Sequence, residues 1–134
     1  MSKSYHDLEV YKLSMDLYLQ THDLTKKLPK FELFELGSQI RRSSESVISN
    51  IVEGYGRRAY KQEFLRFLVF SHASCLETIC HYDKIIRLYP ELSDKTLLLK
   101  GKYEVLGAML YNFKKYVFKR WNNPITHNPI THNP

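Results

Sequence analysis

Four stretches of this chain show helical periodicity, and three keep their apolar residues at alternating spacings of three and four, the pattern of long helices packed at shallow angles. The first runs from about Asp7 to Leu28. It lines Val10, Leu13, Leu17, Leu24 and Leu28 on one stripe, widened by Leu8, Tyr11, Met15 and Tyr18, and Pro29 ends it. The second, from about Phe31 to Glu53, has a seam of unusually small residues: Leu33, Gly37, Ile40, Ser44, Val47, Ile51 and Gly54. After a basic turn at Gly56 to Lys61, the third offers Leu65, Leu68, His72, Cys75, Ile79, Tyr82, Ile86 and Tyr89 until Pro90 stops it. The fourth opens with Ser93 as an expected N-cap and repeats Leu99, Tyr103, Leu106, Leu110, Phe113 and Val117 up to Trp121.

No stretch sustains a period of two between turn residues, so no sheet is expected. Helices of about 22 to 28 residues joined by connections of roughly three to eight predict an all-α fold, an antiparallel up-down-up-down four-helix bundle over residues 1–121. Residues 122–134 form a tandem Asn-Pro-Ile-Thr-His repeat. Proline at every fifth position bars a helix or central strand there, so the segment reads as a flexible tail. Its His127 and His132 are too few to specify a metal site.

A chain of 134 residues buries enough surface to hold a core without disulfides or metal. Two cysteines five positions apart, Cys75 and Cys80, make no secreted disulfide framework. No basic segment followed by an apolar core opens the chain. The most apolar run, Phe64 to Ile79, is interrupted by Arg66, His72 and Glu77. The expected compartment is the cytoplasm, without membrane spanning.

The net charge of +6 is unevenly placed. Residues 1–40 carry five basic and six acidic side chains, and residues 67–99 carry three and four. Residues 41–66 hold Arg41, Arg42, Arg57, Arg58, Lys61 and Arg66 against three glutamates, and residues 100–120 hold six basic residues against Glu104 alone. The excess therefore lives in two segments, which suggests a polyanion-binding face; the plainer reading is that these cations solubilise exposed helix faces.

The chemistry of enzymes is poorly represented. A di-iron bundle needs Glu-x-x-His pairs on two helices, and the sequence contains none. His72 and Cys75 lie three apart on the third helix, but no second pair complements them as zinc ligands, so His72 reads as a hydrogen-bonded seam residue. Ser43, Ser44, Ser46 and Ser49 have no neighbouring His or Lys in sequence. Gly54-Tyr55-Gly56 follows a helix and lacks the remaining spacing of a phosphate-binding loop. A non-enzyme without catalytic residues, metal or cofactor is expected.

The second helix holds the most specific stretch, Gln39 to Arg57. A hairpin folding near residue 58 would set Gln39 and Arg42 beside Glu77 and Ser74, and Asn50 beside Arg66, while Glu53 reaches Arg57 one turn on. Gln39, Arg42, Asn50, Glu53, Arg66, Ser74 and Glu77 then form an interhelical polar network that fixes register, with direct ligand contact as the alternative role.

These same residues carry a family resemblance. Gln39-Ile40-Arg41-Arg42, Ser46 through Gly54 with Arg57 after it, Phe64-Leu65-Arg66-Phe67-Leu68 and Ser74-Cys75-Leu76-Glu77 resemble the four-helix-bundle proteins encoded in intervening sequences of bacterial large-subunit ribosomal RNA genes. Asp7-Leu8-Glu9-Val10-Tyr11 and the Leu28-Pro29 break fit as well, so the likeness covers about residues 5 to 121. Ser43 and Ser44 stand where that family has alanine, and Ala73 where it has glycine. The resemblance implies a ring-shaped homopentamer. It also implies a fold shared with the accessory protein of diversity-generating retroelements, a basic pentamer that binds nucleic acid and a reverse transcriptase.

The leading expectation is a non-catalytic oligomer binding nucleic acid, RNA among the candidates, through Arg57, Arg58, Lys61, Arg41, Lys114, Lys115, Lys119 and Arg120. The alternative is a protein-interaction scaffold whose partner is a polypeptide such as a reverse transcriptase, since ten Tyr and seven Phe exceed what a narrow core requires. Attachment to a membrane surface through Phe113 to Trp121 is disfavoured, because the bundle already uses that apolar stripe.

Overall fold

The computed structural model describes residues 4–121, and the repeat tail with His127 and His132 lies outside them. Four helices make up most of it: α1 (Glu9–Thr25), α2 (Leu36–Gly56), α3 (Lys61–Leu88) and α4 (Ser93–Arg120). Three single 3-10 turns, Tyr5–Asp7, Lys30–Phe34 and Pro90–Leu92, sit at helix entrances. Among the described residues there is no strand.

The contacts between helices run in opposite sequence directions. Along α2 and α3, Ser43 meets Thr78, Ser46 meets Ser74 and Val47 meets Ser71. Along α3 and α4, Phe64 meets Phe113, Cys75 meets Tyr103 and Asp83 meets Lys100. The bundle is therefore antiparallel across both seams, and short connections leave little other choice.

The core follows the expected stripes closely on α1 and α4, where Val10, Leu17, Leu24, Leu28, Leu99, Tyr103, Leu106, Leu110 and Val117 are buried. On α3 the buried line is Phe64, Leu68, Ser71, Cys75, Thr78, Tyr82 and Ile85, rotated from the apolar stripe read in the sequence. The helix faces both α2 and α4, so its hydroxyl residues Ser71 and Thr78 are buried against α2 while Leu65, His72, Ile79 and Ile86 are only half-buried. Burial pushes the Cys75 thiol up to about 12, and its S–H donates to the Tyr103 carbonyl, so it behaves as a small apolar core residue.

Three helix ends differ from expectation, two through local turns and one through a contact across the bundle. α1 stops at Thr25, because the amides of Lys26, Lys27 and Leu28 tighten onto the carbonyls three residues back before Pro29. α2 begins at Leu36, not near Phe31. Glu32 explains this: its carboxylate is buried, accepts from the Leu36 amide at 3.2 Å and from the Tyr89 hydroxyl at the end of α3. A 3-10 turn over Lys30–Phe34 points Glu32 inward and leaves Leu33 and Phe34 on the surface. The bond to Glu32, with burial adding to it, pushes the Tyr89 hydroxyl up to about 12. Ser93 is not an N-cap either; the Pro90–Leu92 turn runs straight into α4, and Ser93 instead accepts from Thr96 through its carbonyl.

Candidate nucleic-acid interface

An up-down-up-down bundle places the α2–α3 connection and the end of α4 at the same end, and side chains lock that adjacency. The Trp121 indole N–H donates to the Arg58 carbonyl at 3.2 Å. The buried Phe64 ring makes edge-to-face contacts with Tyr55 (6.2 Å), Phe113 (5.9 Å) and Trp121 (5.1 Å). Each such contact is worth about 0.5–1.5 kcal/mol beyond its buried area, so the end is held firmly. Lys61 then lies over the Phe118 ring at 5.7 Å, joining the two basic segments that are some fifty residues apart in sequence.

The cations at this end fall into two groups. Arg57 bridges Glu53 (3.2 Å) and Glu63 (3.1 Å) and covers Phe67, and Arg66 pairs with Glu63 (3.2 Å) between Phe67 and Phe70. Arg58 donates to the Tyr55 carbonyl at 2.9 Å and stacks over the Tyr55 ring. In contrast, Lys61, Lys114, Lys115, Lys119 and Arg120 form no ion pair among the described residues. The ammonium groups of Lys114 and Lys115 lie 5.5 and 5.6 Å from the centre of the Tyr111 ring. A shallow groove between α3 and α4 is lined by Leu65, Tyr111, Lys114, Lys115, Phe118 and Lys119.

Arg41 stands apart from this cluster. At a rise of about 1.5 Å per residue it lies roughly 24 Å from Arg57 along α2. It donates to the Leu33 carbonyl at 2.8 Å and borders a different depression, with Tyr18, His22, Ser38, Arg42 and Glu45 between α1 and α2.

The polar seam between α2 and α3 is built from hydroxyls. Ser43 and Thr78 bond at 2.8 Å, Ser46 and Ser74 at 2.8 Å, and Ser71 donates to the Val47 carbonyl at 2.7 Å. Asn50 joins through Ser46, donating to its hydroxyl at 3.0 Å and its carbonyl at 2.9 Å. Of the seven residues expected there, Asn50 and Ser74 thus meet at Ser46. The remaining five lie outside the seam: Glu53 pairs with Arg57, Arg66 with Glu63, Glu77 with His81, while Gln39 and Arg42 are exposed. The cause is register, since the turn consumes Arg57 to Tyr60 before α3 begins and slides it by most of a turn from a hairpin folded at residue 58. Ser43, Ser46, Ser71 and Thr78, spaced by three and seven on their helices, were the legible signal for this seam.

Two histidines border the helix seams. His81 is buried, its Nε2 is 3.4 Å from Glu77 and its Nδ1 has no partner. Burial lowers its pKa, with Glu77 opposing and Lys84 reinforcing the shift. His72, half-buried near Gly107 and Lys114, is lowered by burial and then by the Lys114 charge. Among the described residues, no group of three or more His, Cys, Asp or Glu side chains could hold a metal ion, and no helix is long and apolar enough to cross a membrane.

Comparison with known proteins adds one positive finding. The family model described as 23S rRNA-intervening sequence protein matches residues 6–112, most of the bundle. No curated protein matches the chain.

Proposed function

The chain belongs to the 23S rRNA-intervening sequence protein family, and on that premise we propose that it is a non-catalytic, cytoplasmic, homo-oligomeric bundle that binds nucleic acid through its cationic end. The observation that carries this reading is the convergence of Arg57, Arg58, Lys61, Lys114, Lys115, Lys119 and Arg120 on one end, all but Arg57 without a carboxylate partner among the described residues. Phosphate contacts by such side chains release counterions, so affinity falls steeply with salt and varies little with sequence. The resemblance to ring-forming relatives supports a pentamer. Five copies of +6 give +30, which turns a modest charge into a strong field. Arg41, bonded to Leu33 and far from the cluster, contributes least.

Gel-shift titration with structured RNA and with duplex DNA, each at several salt concentrations, tests the reading, and light scattering tests the oligomer. Retarded bands at low salt that vanish as salt rises are expected. Absence of binding at low salt removes the proposal.

A second reading rests on a separate surface. Phe31, Leu33 and Phe34 are exposed at the opposite end of the bundle, Phe34 by 81%, which suits a polypeptide partner such as a reverse transcriptase. Affinity capture from the native host, with Phe31→Ser/Phe34→Ser as the control, separates this role from nucleic-acid binding.

A further inference from the structure

We infer that the groove between α3 and α4 is a single-strand site, in which unpaired bases stack on Tyr111 and Phe118 while Lys114, Lys115 and Lys119 hold the flanking phosphates; this rests on the nucleic-acid reading above and specifies its ligand.

Charge alone does not account for this surface. Tyr111 and Phe118 are 49% and 61% exposed. They alternate with lysines along α4, and positions 111, 115 and 118 share one face by the three-four rule. Lys114 and Lys115 sit 5.5 and 5.6 Å from the Tyr111 centroid and Lys61 5.7 Å from that of Phe118, so each of these two rings has at least one cation beside it. Base-stacking on aromatics between cations is how single strands are held without sequence preference.

Two other occupants fit less well. A duplex presents phosphates to the lysines but keeps its bases stacked inside, leaving the exposed rings without a contact. A second copy of the same face would press lysines against lysines, because α4 has no acidic residue after Glu104 and the groove lining contains none. A polyanion with exposed flat apolar groups complements both features.

Fluorescence anisotropy with the full chain at low salt tests the inference, using an oligothymidine strand of about 15 nucleotides, an abasic strand of equal phosphate count and a duplex of that length. Oligothymidine should bind at least about tenfold more tightly than the abasic strand, given the usual gain from a stacked base. Tyr111→Ala/Phe118→Ala should abolish that difference and leave duplex affinity and its salt slope unchanged, while Tyr111→Phe/Phe118→Tyr should retain it. Lys114→Ala/Lys119→Ala should weaken all three probes and flatten the salt slope. Equal affinity of the wild-type protein for oligothymidine and the abasic strand overturns the stacking site while nucleic-acid binding stands. Persistence of the difference in Tyr111→Ala/Phe118→Ala overturns this groove as its location. Failure of every probe to bind at low salt removes the underlying reading as well. Because both rings are exposed, a urea midpoint matching wild type verifies that the alanine variant is folded.

Discussion

Thr21 is the hinge of a buried hydroxyl triad, and replacing it by valine isolates the worth of that triad. Its Oγ1 lies 2.6 Å from the Tyr82 hydroxyl and 3.3 Å from that of Tyr103, and all three residues are fully buried. The triad ties α1 to α3 and α4 at once. Valine keeps the shape of threonine, so the packing cost is small and the loss is that of the hydrogen bonds. Tyr103 keeps Ser44 as a second hydroxyl neighbour, whereas Tyr82 has no other hydrogen-bond partner among the described residues. Stranding one buried hydroxyl costs about 1–3 kcal/mol, and that is the expected effect of Thr21→Val. Tyr82→Phe removes the stranded group along with the bond and should cost less, about 0.5–1.5 kcal/mol. Once Tyr82 is phenylalanine, Thr21→Val strands little, so the double variant should fall short of the summed single losses by about 1 kcal/mol. Urea unfolding at one protein concentration gives these values from the midpoints, provided the slope is unchanged. Additivity within about 0.3 kcal/mol would refute the coupling and with it the view that the triad acts as a unit.

Glycines offer a paired test: a Cβ at Gly101 meets nothing within 4 Å, so Gly101→Ala in mid-α4 should stabilise by about 0.5–1 kcal/mol. At Gly54 the same atom would lie 3.0 Å from the Phe67 Cβ and 3.3 Å from Phe64, so Gly54→Ala should lower the urea midpoint; a raised midpoint would contradict the close approach of α2 and α3. Acid sensitivity is the third. His72 and His81 both have folded-state pKa values held below the ordinary 6.5, chiefly by burial. The unfolded chain therefore takes up protons first, so their contribution is complete above about pH 6.5 and declines as pH falls below it. Urea midpoints measured from pH 8 to pH 5 should drop on the acid side, and His72→Gln/His81→Leu should flatten that limb. An equal slope in the variant would sink this assignment.

The helices were legible because a three-four apolar spacing sustained over twenty residues admits few other structures, and α1 and α4 followed their stripes closely. The start of α2 was less legible, since it depended on a contact made across the bundle. Nothing local marks Glu32 as buried; its partners are the Leu36 amide and a tyrosine 57 residues away. α3 was misjudged for a related reason. A helix with neighbours on two sides can bury hydroxyls such as Ser71 and Thr78 when the facing helix supplies Val47 and Ser43 as partners, and hydropathy ranks those residues as surface. In the candidate site, charge clustering was plain from composition by segment, and the topology implied that the α2–α3 turn meets the end of α4. The Glu53–Arg57 pair was legible from its four-residue spacing, but the engagement of Arg57 and Arg66 by Glu63 was not, because Arg57 reaches Glu63 across a turn whose geometry only the fold defines.

That engagement divides the cationic end by function more than it weakens it. The pairs of Arg57 and Arg66 with glutamates are exposed, and exposed ion pairs contribute only about 0–1 kcal/mol, so a phosphate can replace Glu63 at little cost. Meanwhile stacking on Phe67 and Phe70 holds the two guanidinium groups in place, and a guanidinium already fixed loses less freedom when it binds an anion in bidentate fashion. Lys114, Lys115 and Lys119 have the opposite character: without an ion pair among the described residues, on long flexible stems, and suited to phosphates at variable positions. A backbone tracking from the turn onto α4 would therefore meet oriented arginines first and adaptable lysines after, with exposed rings among the latter. Under the proposed single-strand reading, the arginines would govern how a strand enters and the lysine-aromatic face how much of it is held.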